Sequence, residues 1–263
     1  MLIDFHAHAF LDKLAAGAVS SLAQRAHIQP HSNGTVADTI RIMNEQKVDR
    51  AVILSIAVSP RTEHNVNDFA ISLLSEPKFV PFGSVHPDSP NALSELERLK
   101  AAGIRGVKFH NEYQNFYVDD EHAYPVYEKC AKLGLIMLFH GGADLGFGPP
   151  VKAPPKRMRR VCNEFPQARI VVAHLGGQRM EEDAAEYLAD TNAFIDTSYA
   201  ASAASLETGK RTIEAFGFDR VLFGTDLPWD TAEHTFSYLE RMGFTEDQKE
   251  KIYFRNALRL LGE

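Results

Sequence analysis

Between Leu2 and Asp226 the chain repeats one unit eight times: a short apolar run of strand character, then a stretch with helical spacing. Ala51–Ile56 and Leu135–His140 show the pattern best, being almost continuously apolar, as parallel strands buried on both faces are. The other runs are Leu2–His8, Phe79–Val85, Gly106–His110, Ala168–His174, Ala193–Ser198 and Val221–Asp226. Eight buried-type strands alternating with helices, with no low-complexity linker, predict one α/β domain over residues 1–263, a single (β/α)8 TIM barrel. A doubly wound open sheet is the alternative. It calls for a glycine-rich phosphate turn after the first strand, and His6-Ala7-His8 stands there instead.

The intervening segments fit this scheme. Ala9 to about Gly34 is a long β1–α1 insertion of the kind that forms a lid, with one helix over Leu11–Ala26 and a turn at Asn33-Gly34. Thr35 caps a helix running to Gln46, and another spans 64–75. Ser89-Pro90 opens a helix expected to place Leu93, Leu96 and Leu99 on one face before Gly103 ends it. A helix from about His122 stops at Gly134, and one holding Met158, Val161, Cys162 and Phe165 stops at Pro166. A C-terminal helix starts with the capping box Thr245-Glu246-Asp247-Gln248 and reaches Leu261.

Within the first run, His6 and His8 are two apart, so a regular strand turns both to one face and Phe5 and Ala7 to the other. Two imidazoles side by side are poor core material, because apolar neighbours leave their ring nitrogens unsatisfied. They suit a divalent metal, or else a strand face that meets water. Further along, His86, His110, His140 and His174 also fall at predicted strand ends, and Asp226 ends the eighth. A barrel gathers those ends into one rim, where its active site lies, so the scattered residues form a candidate metal site. Lys108 shares strand parity with His110 and faces inward with it.

Loop polarity adds weaker candidates. These are Asn111, Glu112 and Tyr113 after the fourth strand, Ser198 and Tyr199 after the seventh, and Trp229 and Asp230 after the eighth. Trp229, the only tryptophan, could form an aromatic wall. Arg61, His64, Lys152, Lys156 and Arg157 read as solvated loop charges or as contacts to a substrate carboxylate. A net charge of −7 with no basic block argues against nucleic acid and anionic membranes. No apolar run approaches a membrane span, and a strand at residue 2 leaves no room for a signal peptide, so a cytoplasmic protein is expected. Cys130 and Cys162 read as buried, reduced thiols. A homodimer is the default for a symmetric enzyme.

His-x-His on the first strand, His140 after the fifth, His174 in Ala-His-Leu-Gly-Gly and Asp226 in Gly-Thr-Asp resemble the amidohydrolase superfamily. His140-Gly-Gly before the Pro-Pro loop, and Asn256-Ala-Leu-Arg-Leu-Leu, resemble its amidohydrolase-related branch, which holds both lactonases and non-oxidative decarboxylases. The resemblance implies that His6, His8, His140 and Asp226 bind one metal, zinc first, with manganese or another divalent ion as the substitute. Asp226 would pass a proton from the attacking water to the leaving group, and His174 would polarise the substrate or act as acid/base partner. Lys108, His110, Tyr113 and Trp229 would then meet the small-molecule substrate. In binuclear members a lysine on the fourth strand is carboxylated and bridges two metals, which Lys108 with His140 and His174 could do here. The activity implied is hydrolysis of an amide, cyclic amide, ester or lactone. The alternative is decarboxylation of an aromatic or unsaturated acid, and a non-catalytic metal-binding barrel is a third reading.

Overall fold

A computed structural model describes residues 1–263. Its strands and helices follow in the order β1 (Ile3–Ala7), α1 (Asp12–Ala26), α2 (Val36–Glu45), β2 (Arg50–Leu54), α3 (Glu63–Ser72) and β3 (Phe79–Phe82). Next come α4 (Ala92–Ala102), β4 (Gly106–Phe109), α5 (Asn111–Gln114), α6 (Tyr124–Leu133), β5 (Ile136–Phe139) and α7 (Pro155–Glu164). The chain continues through β6 (Ile170–Val172), α8 (Glu181–Leu188), β7 (Phe194–Asp196), α9 (Ala200–Ala203), α10 (Leu206–Phe216) and β8 (Val221–Leu222). It ends with α11 (Ala232–Glu240), α12 (Glu246–Glu250) and α13 (Asn256–Leu261).

All strand pairs are parallel, in the runs β1-β2-β3 and β4-β5-β6-β7-β8. Two seams join these runs into a cylinder. At one, Gly83 N–H donates to Gly106 O (3.0 Å) and Lys108 N–H to Gly83 O (2.8 Å). At the other, Phe5 N–H donates to Phe223 O (2.7 Å), Asp226 N–H to His6 O (2.7 Å) and His8 N–H to Leu227 O (2.6 Å). The α/β barrel expected from the alternation is the fold observed.

Two apolar layers hold it. Ile3, Phe5, Leu54, Phe82, Leu138 and Ala173 form the inner one with Ala257, Leu260 and Leu261, so α13 plugs the end opposite the site. The larger outer layer packs the other strand faces, among them Val107, Phe109, Met137 and Ile195, against the surrounding helices. Cys130 and Cys162 are free and buried in that outer layer, as expected.

The local signals operate as their chemistry requires. The Thr35 side chain accepts from Asp38 N–H, the Thr245–Gln248 capping box is formed, and Gly103 ends α4 at φ 98°. Leu93 is the exception: it is 44% exposed while Leu96 and Leu99 are buried, so it sits off the packed face. β1 also departs from a regular strand. Asp4 pairs with Ala51 and Ala7 with Ile53, three residues against two, which is a bulge. Phe5 therefore joins the inner layer and Ala7 the outer one, and His6 and His8 are aimed from an irregular strand. No helix is long and apolar enough to cross a membrane.

The β8–β1 seam rests on a buried carboxylate. Asp4 Oδ1 accepts from His6 N–H (3.0 Å) and Thr225 N–H (3.0 Å), and Oδ2 accepts from the Thr225 hydroxyl (2.6 Å). Burial pushes the Asp4 carboxyl up to about 7, against the pull of the Thr225 hydroxyl. Asp4→Ala leaves the His6 and Thr225 N–H groups unsatisfied while the Thr225 hydroxyl can turn to the His6 carbonyl, so urea denaturation should show a loss of roughly 2–6 kcal/mol, at about 1–3 kcal/mol per orphaned group.

Candidate metal centre and active site

Five histidines, His6, His8, His110, His140 and His174, line one cavity at the C-terminal rim, together with Lys108, Asp144 and Asp226. His86 does not join them. The chain beyond β3 carries it past the rim, where its backbone N–H donates to the buried Glu63 carboxylate (2.7 Å).

The first cluster is His6, His8 and Asp226, whose ligand atoms lie within 4.8 Å of one another. His6 Nδ1–H donates to Asp196 Oδ2 (2.8 Å), and His8 Nδ1–H donates to the Leu54 carbonyl (3.0 Å). Both acceptors can only accept, so each ring is left with a bare Nε2 lone pair. Those two nitrogens face Asp226 Oδ1, at 3.3 and 3.2 Å. Burial, reinforced by the Lys108 charge, holds the His6 imidazole down to about 3, so it stays neutral. Burial pulls the Asp226 carboxyl the other way, but its histidine neighbours overcome this and bring it to about 2. Three electron-pair donors thus converge with no proton to share. That arrangement fits a divalent cation.

The second cluster is His110, His140 and Asp144. Here the protons can be followed from atom to atom. His174 Nδ1 lies 3.1 Å from the Ser198 carbonyl and 2.9 Å from its hydroxyl, and His174 Nε2 lies 3.0 Å from His140 Nδ1. With His174 donating from Nδ1 to the carbonyl, its Nε2 accepts from His140 Nδ1–H. His140 Nε2 is then a bare lone pair, buried and without a hydrogen-bond partner. Burial, reinforced by the neighbouring histidines and the Lys108 ammonium, holds His140 well below the ordinary histidine range. Its ring stacks on His110 at 4.3 Å and 15°, and its Nε2 stands 3.9 Å from Asp144 Oδ2. His110 Nε2 is 3.3 Å from the same oxygen. His140 is therefore in the same rim as His6 and His8, but in the adjoining group.

Lys108 lies between the two groups. Its pairing with Leu138, a member of the inner layer, turns it into the barrel as its parity predicted. It is 1% exposed, its Nζ is 3.4 Å from His6 Nε2, and burial lowers its pKa to about 8. Tyr113 packs edge-on to His110 at 4.5 Å, and Tyr113, Tyr199 and Trp229 all line the cavity. Asn111 and Glu112 instead fasten loops: Asn111 Nδ2 donates to Phe116 O, and Glu112 Oε1 accepts from Lys152 N–H. Asp230 holds Ser202 and His234. Among the loop charges, His64 pairs with Glu95, Lys152 with Asn115 and Arg157 with Asp119.

Three carboxylates escaped the sequence reading. Asp196 ends β7 fully buried; it receives His6 Nδ1–H on one oxygen and His174 N–H (3.0 Å), Ser198 N–H (3.1 Å) and the Ser198 hydroxyl on the other. Those contacts overcome its burial and keep it below the usual carboxylate range. Asp4 precedes His6 by two, a spacing that was visible, whereas Asp144 sits in an irregular loop with no periodic signal. Asp226 (φ 72°) and His174 (φ 59°) both adopt left-handed backbone, a conformation that costs energy and persists where the surroundings enforce it. Gly224 permits the close approach there, since a Cβ would lie 3.1 Å from His6 Cβ.

Comparison with known proteins agrees with this architecture. A dihydroxybenzoic acid decarboxylase from Polaromonas sp., solved with bound manganese and the inhibitor 2-nitroresorcinol, is 17% identical with a TM-score of 0.72, covering 99% of this chain and 96% of that one. The 5-carboxyvanillate decarboxylase of Sphingomonas paucimobilis is 19% identical with a TM-score of 0.74, covering 99% and 98%. A probable 2-pyrone-4,6-dicarboxylic acid hydrolase from Acinetobacter baumannii, with citric acid bound, is 17% identical with a TM-score of 0.69, covering 100% and 97%. The amidohydrolase family model matches residues 3–262, nearly the whole sequence, and the chain belongs to that family.

Proposed function

We propose that the chain, working as one domain over 1–263, is a metal-dependent hydrolase acting on a small carbonyl substrate: an amide, cyclic amide, ester or lactone. The observation that carries this reading is the convergence of the His6 and His8 Nε2 lone pairs on Asp226 Oδ1. His140, with its bare Nε2 in the adjoining group, is the fourth ligand proposed. Bound there, a divalent ion, zinc in the first place and manganese in the second, supplies Lewis acidity toward the carbonyl oxygen and acidifies water. The protein moves the protons. Asp226 removes one from the attacking water and returns it to the leaving group as the carbonyl–heteroatom bond breaks. His174, whose Nε2 accepts from His140 in the resting tautomer, polarises the substrate oxygen or serves as acid/base partner once that hydrogen bond is exchanged for the substrate. Lys108 faces the anionic end of a substrate, and His110, Tyr113 and Trp229 frame it. The proposed setting is the cytoplasm, as a homodimer.

A second reading, non-oxidative decarboxylation, draws support from Lys108. A buried ammonium beside the proposed metal ligands can hold an aromatic or unsaturated carboxylic acid while carbon dioxide leaves and a proton is delivered to carbon. The decarboxylase names of two similar structures point the same way.

Chelation should abolish turnover, and zinc or manganese at one equivalent per chain should restore it. Two equivalents with a carboxylated Lys108, seen by metal analysis and intact mass, would refute the single-metal assignment. Asp226→Asn should lower kcat by about 10²–10⁴-fold with an unchanged circular dichroism spectrum, and unaltered turnover refutes its role. A screen of lactones, esters and amides alongside aromatic acids separates the readings, since carbon dioxide release without hydrolysis selects the lyase. In Asp196→Asn the retained carbonyl oxygen serves the three donors from His174 and Ser198, so an NH2 donor replaces the acceptor facing His6 Nδ1 and reverses the His6 tautomer. Metal affinity, measured by competition with a chromogenic chelator, should fall about 10–100-fold.

A further inference from the structure

Much of the cavity's lining lies on α1, α3 and the chain beside them rather than at the histidines. The cavity measures about 820 Å³, near the upper end of the roughly 300–1,000 Å³ usual for ligand pockets, and extends from the rim outward between α1 and α3. The reacting groups occupy one end. A single small ring held there leaves the outer part unfilled.

That outer part has two apolar walls. Along α1, Leu11, Leu14, Ala18 and Leu22 recur at helical spacing and line the cavity, while Ala15, Val19 and Ala23 form the face buried against the protein. On α3 the division repeats: Val66 and Phe69 line the cavity, while Glu63, Asn67 and Ala70 are buried. Each helix thus carries a second apolar stripe toward the cavity, open at Leu11 and Leu14 and half-buried at Leu22, Val66 and Phe69, the last of which also packs on the outer layer.

Surface exposure gives an independent sign. Leu11 is 36% exposed, Leu14 58% and Val58 47%, and all three stand at this one mouth. The remaining large exposed hydrophobic side chains, Met1, Leu74, Leu93 and Phe236, do not line the cavity. Apolar surface gathered at a concave opening marks a binding surface. Its continuity with the histidine rim identifies the occupant as part of the molecule that reacts there.

We infer that the substrate carries an apolar arm, an alkyl chain or a second ring, which extends from the reacting carbonyl or carboxyl end into the channel between α1 and α3. This rests on the proposed function only in taking the rim as the end that holds the polar group. Lys13 and Asp68 also line the cavity, so the arm's far end can meet water.

Binding tests this without turnover. Trp229, the single tryptophan, lines the cavity and reports occupancy by its fluorescence. Straight-chain carboxylates from acetate to decanoate, titrated into the zinc-loaded protein, should show Kd falling about 3–4-fold per added methylene, from about 0.8 kcal/mol for each one buried. In Leu14→Asp, a change at an exposed position that leaves the core intact, the decrease should flatten for the longer chains, with acetate as internal reference. A Kd independent of chain length in the unaltered protein overturns the inference. So does a variant that keeps the full slope but shifts the oligomeric state by ultracentrifugation, because the stripe would then face a second copy. An intact slope with no hydrolysis or decarboxylation of any substrate would refute the proposed function and leave the channel assignment standing.

Discussion

The rim depends on how the fold bears the burial of Asp196. A carboxylate taken fully out of water is unfavourable unless its lone pairs are occupied, and this one receives hydrogen bonds from three segments of chain. His6 donates from β1, His174 through its backbone N–H beyond β6, and Ser198 from the turn after β7. The interaction that satisfies the carboxylate also selects the His6 tautomer and locates His174. Through His174 it reaches His140, whose Nδ1 lies 3.0 Å away. Asp4 performs the corresponding task at the opposite side of β1, joining it to Thr225 one residue before Asp226. Two acidic residues that do not line the cavity thus determine where its ligand atoms point.

Much of the barrel could be read from local rules because the rules were not in conflict. Ala51–Leu54 and Ile136–Phe139 are apolar on both faces because both faces are covered, and each forms a strand. Thr35, Gly103 and Thr245 end or begin helices by short-range hydrogen bonding and backbone geometry, which sequence displays directly. The β1 bulge was hidden, since regular alternation assumes a register that only pairing with β2 can reveal. Leu93 was misplaced for a related reason: apolar spacing along α4 does not say how wide the covered stripe is, and its neighbours reach only Leu96 and Leu99.

The rim itself was legible in its histidines and illegible in their partners. Strand-end position sufficed to gather His6, His8, His110, His140, His174 and Asp226, because a barrel brings strand ends together whatever their separation in sequence. Asp196 and Asp144 are recognised only by what they touch, and those contacts cross 190 residues in one case and an irregular loop in the other. His86 shows the converse. Its position after a predicted strand matched the others, yet the chain had already left the cylinder and tied itself to Glu63.

Charge balance bears on the choice between one metal and two. Asp144, Asp196 and Asp226 are all held below the ordinary carboxylate range, while His6 and His140 are held neutral, and Lys108 is the buried cation among them. Three negative charges against one positive leave an excess of two, which a single divalent ion at His6, His8 and Asp226 would neutralise. A second ion would turn the site positive, and it would remain so by one charge even with a neutral Lys108; carboxylation, which makes Lys108 an anion, restores the balance. The ammonium stands 3.4 Å from His6 Nε2, close to the position proposed for the first ion, so mutual repulsion would turn it toward Asp144 or toward an incoming anion. One metal with an unmodified lysine, and two metals bridged by a carboxylated one, are thus alternative ways of satisfying the same buried carboxylates.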